Sequence, residues 1–246
     1  MMVRRAVTAV ARVLVLVLAV SGLVACGSVS DRGGVGYLGA VSADSPLENG
    51  VARATLPPTF QGANLLVAIA MGDGPDSPAT QHSLLGDTGR HQWTRHDHHI
   101  VFGSIIDVYT APANGSEAGA VLSSEMTVKR GDEGHTLTVL AYRHGHFEGT
   151  TERNGHFGIP QLRQSVPAGE DVLTAFGDGR QNTPITPVPG FRPLHALPIA
   201  DGDRDLYQVS RLEPPGSWSG GEMLTGNLAP PASAYWGLVN VNIAPA

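Results

Sequence analysis

Three sets of residues in this chain have the types and spacing to do chemistry. The first is a lone thiol, Cys26, the single cysteine among 246 residues; it rules out a disulfide within the chain and leaves one nucleophilic sulfur. The second is histidine. His96 and His98 lie two apart, as do His144 and His146, so in an extended chain each pair projects from one face, and four imidazoles together would suit zinc or copper. The third is tryptophan: Trp93, Trp218 and Trp236 carry flat rings able to stack on sugars, and Trp218 sits in the Gly/Ser-rich stretch 216–221, where a loop would present it.

The histidine reading depends on topology. If the extended segments near 98–109, 121–128 and 136–142 form a simple meander, the first pair begins a strand and the second ends one. The pairs then fall at opposite ends of a sheet, as solvated histidines. Asp201-Gly202-Asp203-Arg204-Asp205 imitates the start of a calcium loop, but Leu206 replaces the required sixth-position glycine and Leu212 the bidentate acid at the twelfth. An acidic turn is the expectation there.

Enzyme signatures fail on specific residues. Gly216-Ser217-Trp218-Ser219-Gly220 puts Trp where a nucleophile elbow needs Ser, and Met126 stands three before Lys129 in place of the Ser of penicillin-recognising enzymes. No Gly-Lys phosphate loop is present. Glu148, Glu152, Glu170 and Glu222 are candidate carboxylates for sugar hydrolysis, which depends on their separation. The chain is expected not to be an enzyme and to need no cofactor, with an envelope glycan hydrolase as an alternative.

Around Cys26 the sequence is more specific. Arg4, Arg5 and Arg12 lead into the apolar run 13–20, which Ser21-Gly22 breaks before Leu23-Val24-Ala25-Cys26. A basic start followed by an apolar stretch too short to span a bilayer has the layout of an export signal. The last four residues resemble the lipobox of bacterial lipoproteins. That resemblance implies cleavage before Cys26, a diacylglyceryl thioether on its sulfur, and attachment to the outer face of the cell membrane. Two acyl chains hold a protein there far more firmly than one.

Removing residues 1–25 takes three of the 16 basic residues and none of the 22 acidic ones, leaving 13 − 22 = −9. Such a surface offers no cation excess to phosphate backbones, so nucleic acid is an unexpected partner. Anionic headgroups repel it too, leaving the lipid as the membrane contact. Lys129 is the only lysine, a composition expected of a GC-rich, actinobacterial genome.

The elements that must position these residues are strands. Residues 26–35 read as a flexible tether, and 36–246 as a domain in which 31 Gly and 18 Pro interrupt every segment before a helical stripe can form. The clearest strands are 64–70, 98–109, 136–142, 171–176 and 234–243; weaker ones are 37–43, 51–56, 121–128, 206–212 and 221–227. In the last of the clear strands Val239, Val241 and Ile243 share one face, with Asn240 and Asn242 on the other, which predicts a half-buried strand. Segment 65–70 is apolar on both faces and should be covered on both. About ten strands without helices predict an all-β, antiparallel two-sheet sandwich of jelly-roll type after the N-terminal signal helix. A break at 149–160 would mark any subdivision, though a single domain is preferred.

Gln61-Gly62-Ala63-Asn64-Leu65-Leu66-Val67-Ala68, Trp93-Thr94, Val108-Tyr109-Thr110-Ala111-Pro112 and Ala141-Tyr142-Arg143 are similar to the strand series of β-sandwich domains in secreted actinobacterial and phage tail proteins. Such domains are mostly binding or structural modules. The expectation is therefore a lipid-anchored envelope protein displaying a binding module for a glycan or protein. A zinc or copper binding protein is the other alternative.

Overall fold

The computed structural model describes residues 34–45, 51–73, 82–101, 104–127, 134–178, 184–198, 206–230 and 235–246. The signal, Cys26, the acidic turn at 201–205 and Lys129 lie outside the described residues. The described part is antiparallel β throughout, apart from one 3-10 turn at Pro58–Phe60.

The first eight strands are β1 (Gly36–Ser45), β2 (Val51–Thr55), β3 (Leu65–Asp73), β4 (Ser83–Asp87), β5 (Thr94–Val101), β6 (Ser104–Pro112), β7 (Val121–Met126) and β8 (His135–Arg143). They form a five-stranded sheet, β1-β8-β3-β6-β5, and a three-stranded sheet, β2-β7-β4. The remaining seven are β9 (Gly145–His156), β10 (Gln161–Val166), β11 (Asp171–Asp178), β12 (Phe191–Pro198), β13 (Leu206–Leu212), β14 (Gly221–Gly226) and β15 (Tyr235–Pro245). They form a five-stranded sheet, β12-β13-β11-β15-β9, and the pair β10-β14.

Apart from the hairpin β5-β6 and the run β11-β12-β13, consecutive strands alternate between two sheets, as in a jelly roll, and the alternation occurs twice. Matching β1 with β9, β2 with β10, β3 with β11, β5 with β12, β6 with β13, β7 with β14 and β8 with β15 carries one pair of sheets onto the other, with β4 alone unmatched among the described residues. Finer details repeat as well. The register shift at Tyr37/Gly39 recurs at Phe147/Gly149, and that at Arg95/Asp97 recurs at Pro193/His195. One sequence offset relates Val108 to Val209, Leu122 to Met223 and Leu140 to Val241. The same offset carries the left-handed Gly115 and Gly119 onto the left-handed Gly216 and Gly220. Among the described residues one sandwich topology therefore occurs twice in tandem.

The halves stack so that the two large sheets face each other. Val67, Ile69, Ile106, Val108, Leu140 and Tyr142 of the first meet Leu173, Ala175, Val209, Val239, Val241 and Ile243 of the second in the central core. Leu66, Ala68, Ala70, Leu137, Val139 and Ala141 pack the other way, against Ala52, Ala54 and Leu122 of the small sheet. This accounts for β3: its strand is covered on both faces because a layer lies on each side.

Three expectations need correction. Segment 94–112 is a hairpin of two strands, β5 and β6, where one strand was expected. Residues 149–156 belong to β9, which pairs along its length with β15; the change from one repeat to the next falls at His144. Asn240 is fully buried, because the polar face of β15 is roofed by β10 and β14. Asn240 Nδ2 donates to Thr225 Oγ1 at 2.9 Å while its Oδ1 accepts from Thr174 Oγ1 at 3.1 Å, which meets the polar demand of that layer.

Candidate functional site

The second half departs from the first where β4 is missing, and its open apolar surface gathers there. Segment 184–188 runs where β4 would. Leu228 N donates to Thr186 O at 2.9 Å, as Thr127 N donates to His82 O at 3.0 Å in the first half. Side chains from matching positions hold the two segments: Asp107 accepts from Ser83 N at 2.6 Å, and Gln208 accepts from Ile185 N at 3.1 Å and donates to Ile185 O at 2.8 Å. Pro184, Pro187 and Pro189 cannot donate backbone hydrogen bonds, so among the described residues a single bridge, Pro187 to Asn227, stands where the first half has a five-residue strand.

Beside that segment lies an open groove of about 500 Å³, lined by Pro184, Pro187, Pro189, Phe191, Pro193 and Leu228 among others, with no charged side chain among the described residues of its wall. The neighbouring connection between β9 and β10 adds to the apolar surface. Phe157 is 67% exposed at φ 63, and Ile159 and Leu228 are 43% and 48% exposed. Asn227 N donates to Pro160 O at 2.9 Å, which fixes the connection next to Leu228. A bulky residue at positive φ is a backbone outlier, and large exposed apolar side chains in one region mark interaction surfaces.

The tryptophans point elsewhere. Trp218 is half-buried against Val166, Val172, Leu212 and Met223, and its Nε1 donates to Val166 O at 3.1 Å. Trp236 is buried, donates to Phe157 O at 3.2 Å and lies under the Arg153 guanidinium. Trp93 packs on the first-half core and donates to Asp87 Oδ2 at 2.9 Å. Burial alone would raise the Asp87 pKa, but bonds from Trp93, His91 and the backbone hold it below the usual value. The stretch around Trp218 read as an exposed loop because its neighbours are small; the indole instead closes the end of the second half.

Because 94–112 is a hairpin and β7 lies in the other sheet, β5 begins at the end of the large sheet where β8 finishes. His146 stands on β9, next to Phe147. His96 stacks on Phe147 at 3.9 Å between ring centres and shares a 2.5 Å hydrogen bond with Thr110 Oγ1. His146 reaches Glu148 at 3.1 Å, and His144 is exposed in a left-handed turn. The side chain of His98 lies outside the described residues. Among the described residues no three His, Cys, Asp or Glu side chains group so as to hold a metal ion.

Among the described residues, buried groups with the residue types of catalysis include His91 between Asp87 at 2.6 Å and Glu117 at 3.5 Å, the His135–Ser124 pair, and Glu170. His135 Nε2 shares a 2.8 Å bond with Ser124 Oγ, both fully buried, and burial pushes the imidazole pKa down to about 4. Such a histidine is a poor base at neutral pH, and the Ser124 hydroxyl is closed to solvent. Glu170 is buried with its pKa raised, first by burial and then by Glu148, while Glu148 itself is exposed. Glu152 lies farther along β9, and Glu222 stands on β14.

No protein family, curated protein or solved structure significantly matches this chain. The surface around Phe157 and the groove was missed by sequence reasoning, and only the repeated glycine spacing could have led to the missing strand.

Proposed function

We propose that this is an exported protein, held at the outer face of the cell membrane by lipid on Cys26, whose β structure serves as a binding module. The observation that carries the binding half is the apolar surface at Phe157, Ile159, Leu228 and the adjoining groove. Phe157 occupies a strained backbone position and buries little of its ring, an arrangement that costs of order 1–3 kcal/mol and is retained where a partner supplies the missing contacts. Lipid on Cys26 rests on the basic-apolar-lipobox sequence of residues 4–26.

The test is a photo-crosslinking amino acid placed at Phe157 in cells, beside a control at the exposed Arg163. A discrete adduct at 157 and none at 163 supports the reading; no adduct at 157 contradicts it.

A further inference from the structure

The ligand class follows from what the second half lacks, and this step rests on the binding-module reading. In the first half β7 is flanked on both sides, by β2 and by β4. Its repeat, β14, has β10 on one side and, among the described residues, only the stub at 186–188 on the other.

The backbone directions on β14 are fixed by its bonds. Val188 N donates to Gly226 O and Leu228 N to Thr186 O, each at 2.9 Å, so these residues turn their peptide groups toward the stub. Asn227 N turns the opposite way, to Pro160 O. Alternation along the strand then aims the N–H and C=O of Leu224 and Glu222 to the stub's side. Their counterparts in the first half are Ser123 and Val121, which face β4 and the residue after it: Thr88 N donates to Val121 O at 3.1 Å, and Val121 N donates to Thr88 Oγ1 at 2.8 Å. In the second half the chain turns away at Pro189 and Gly190, and among the described residues no strand lies against Leu224 and Glu222.

We propose that an extended polypeptide adds to this edge of β14 as a third strand, antiparallel to it, taking the place that β4 holds in the first half. The first half shows the chemistry of the occupant: an extended segment, Ser-Leu-Leu-Gly-Asp, with only its last residue charged. Phe191, which packs beside Met223 of β14 and also lines the groove, joins the vacant edge to the apolar wall. Main-chain bonds to Leu224 and Glu222 would supply affinity, and the groove would select apolar side chains. The outer edge of β10 is a weaker candidate, because among the described residues its counterpart β2 is equally unpaired in the first half.

The probe is the capped peptide with the sequence of residues 84–88, added at millimolar concentration while amide exchange is followed by NMR on the full chain. In the free protein the amides of Glu222 and Leu224 should exchange fast and those of Met223 and Thr225, which face β10, slowly. With nine-tenths of the sites filled, Glu222 and Leu224 should slow about tenfold. N-methylation of the peptide at Gly86 and Thr88, whose amides face the edge, should abolish the effect; N-methylation at Leu85 and Asp87 should leave it intact. Protected Glu222 and Leu224 amides in the free protein, no slowing with peptide, or equal effects of the two methylated peptides would each overturn strand addition. A crosslink at Phe157 that persists after such a failure leaves the binding module standing with another ligand; loss of both removes that reading too.

Discussion

Arg211 of β13 lays its guanidinium 3.8 Å from the ring centre of Tyr37 of β1, a cation of one half stacked on an aromatic of the other. The same guanidinium reaches Asp171 at 3.4 Å, and both side chains are buried. Burial is the main reason the Asp171 pKa rises to about 6, with Arg211 pulling the other way. The repeat places Leu65 and Thr110 at the matching positions of the first half, where His96 stacks on Phe147 instead. One seam position is therefore charged and its counterpart is not.

Breaking the pair should cost more than replacing it. Arg211→Ala leaves Asp171 buried without its cation and is expected to lose about 3–5 kcal/mol, whereas Asp171→Leu with Arg211→Thr, copying the first half, should be neutral or stabilising. Urea denaturation at pH 7 compares the two, and a double variant as unstable as the single one would refute the symmetry argument.

Acid should act on two buried groups with opposite signs. His135 binds its proton near pH 4 when folded and near 6.5 when unfolded, so its stability is complete above pH 6.5 and is lost as pH falls through 4, about 3 kcal/mol in all. Asp171, near 6 when folded and 3.8 when unfolded, contributes stability below pH 3.8 that is lost as pH rises through 6, by a similar amount. Between pH 6.5 and 4 the two nearly cancel. The double variant at 171 and 211 keeps only the histidine effect and should weaken steeply across that range, while His135→Gln should strengthen; urea midpoints from pH 4 to 7 read both slopes.

Phe157→Gly removes an exposed ring from a left-handed position. Stability should stay level or rise by about 1 kcal/mol, because the strain disappears and little packing is lost, while binding through that surface falls. A loss of more than about 1 kcal/mol in thermal unfolding would mean the ring supports the fold.

Gly226→Ala should be among the costliest single changes. A methyl there would sit 2.1 Å from Pro160 O at φ 100, and the displaced carbonyl belongs to the bond that fixes the β9–β10 connection. Gly115, at φ 88 with open space around it, should lose only about 1 kcal/mol on the same change. Thermal unfolding of the pair separates a steric cost from a conformational one.

The core strands were legible because their chemistry is repetitive: β3, β8 and β11 are apolar runs bounded by turns, and β15 alternates. The missed strands were those in which pairing, not burial, sets the structure. In β9 the exposed Glu152, Arg153 and Asn154 fit an edge strand and give no apolar signal. Pro193 and Pro198 read as breakers in β12, yet an edge strand tolerates them. The repeated topology is nearly invisible in residue identity, because each repeat needs only the same pattern of inward positions. The groove depends on three prolines interrupting a strand, which one sequence does not reveal without its partner repeat.

Location remains the most direct test of the account. The intact mass of the mature protein purified from cell membranes is predicted to correspond to a chain beginning at Cys26 and carrying acyl lipid, with Cys26→Ala remaining uncleaved and unlipidated. A mature chain that starts elsewhere, or that bears no lipid, would contradict the anchored module.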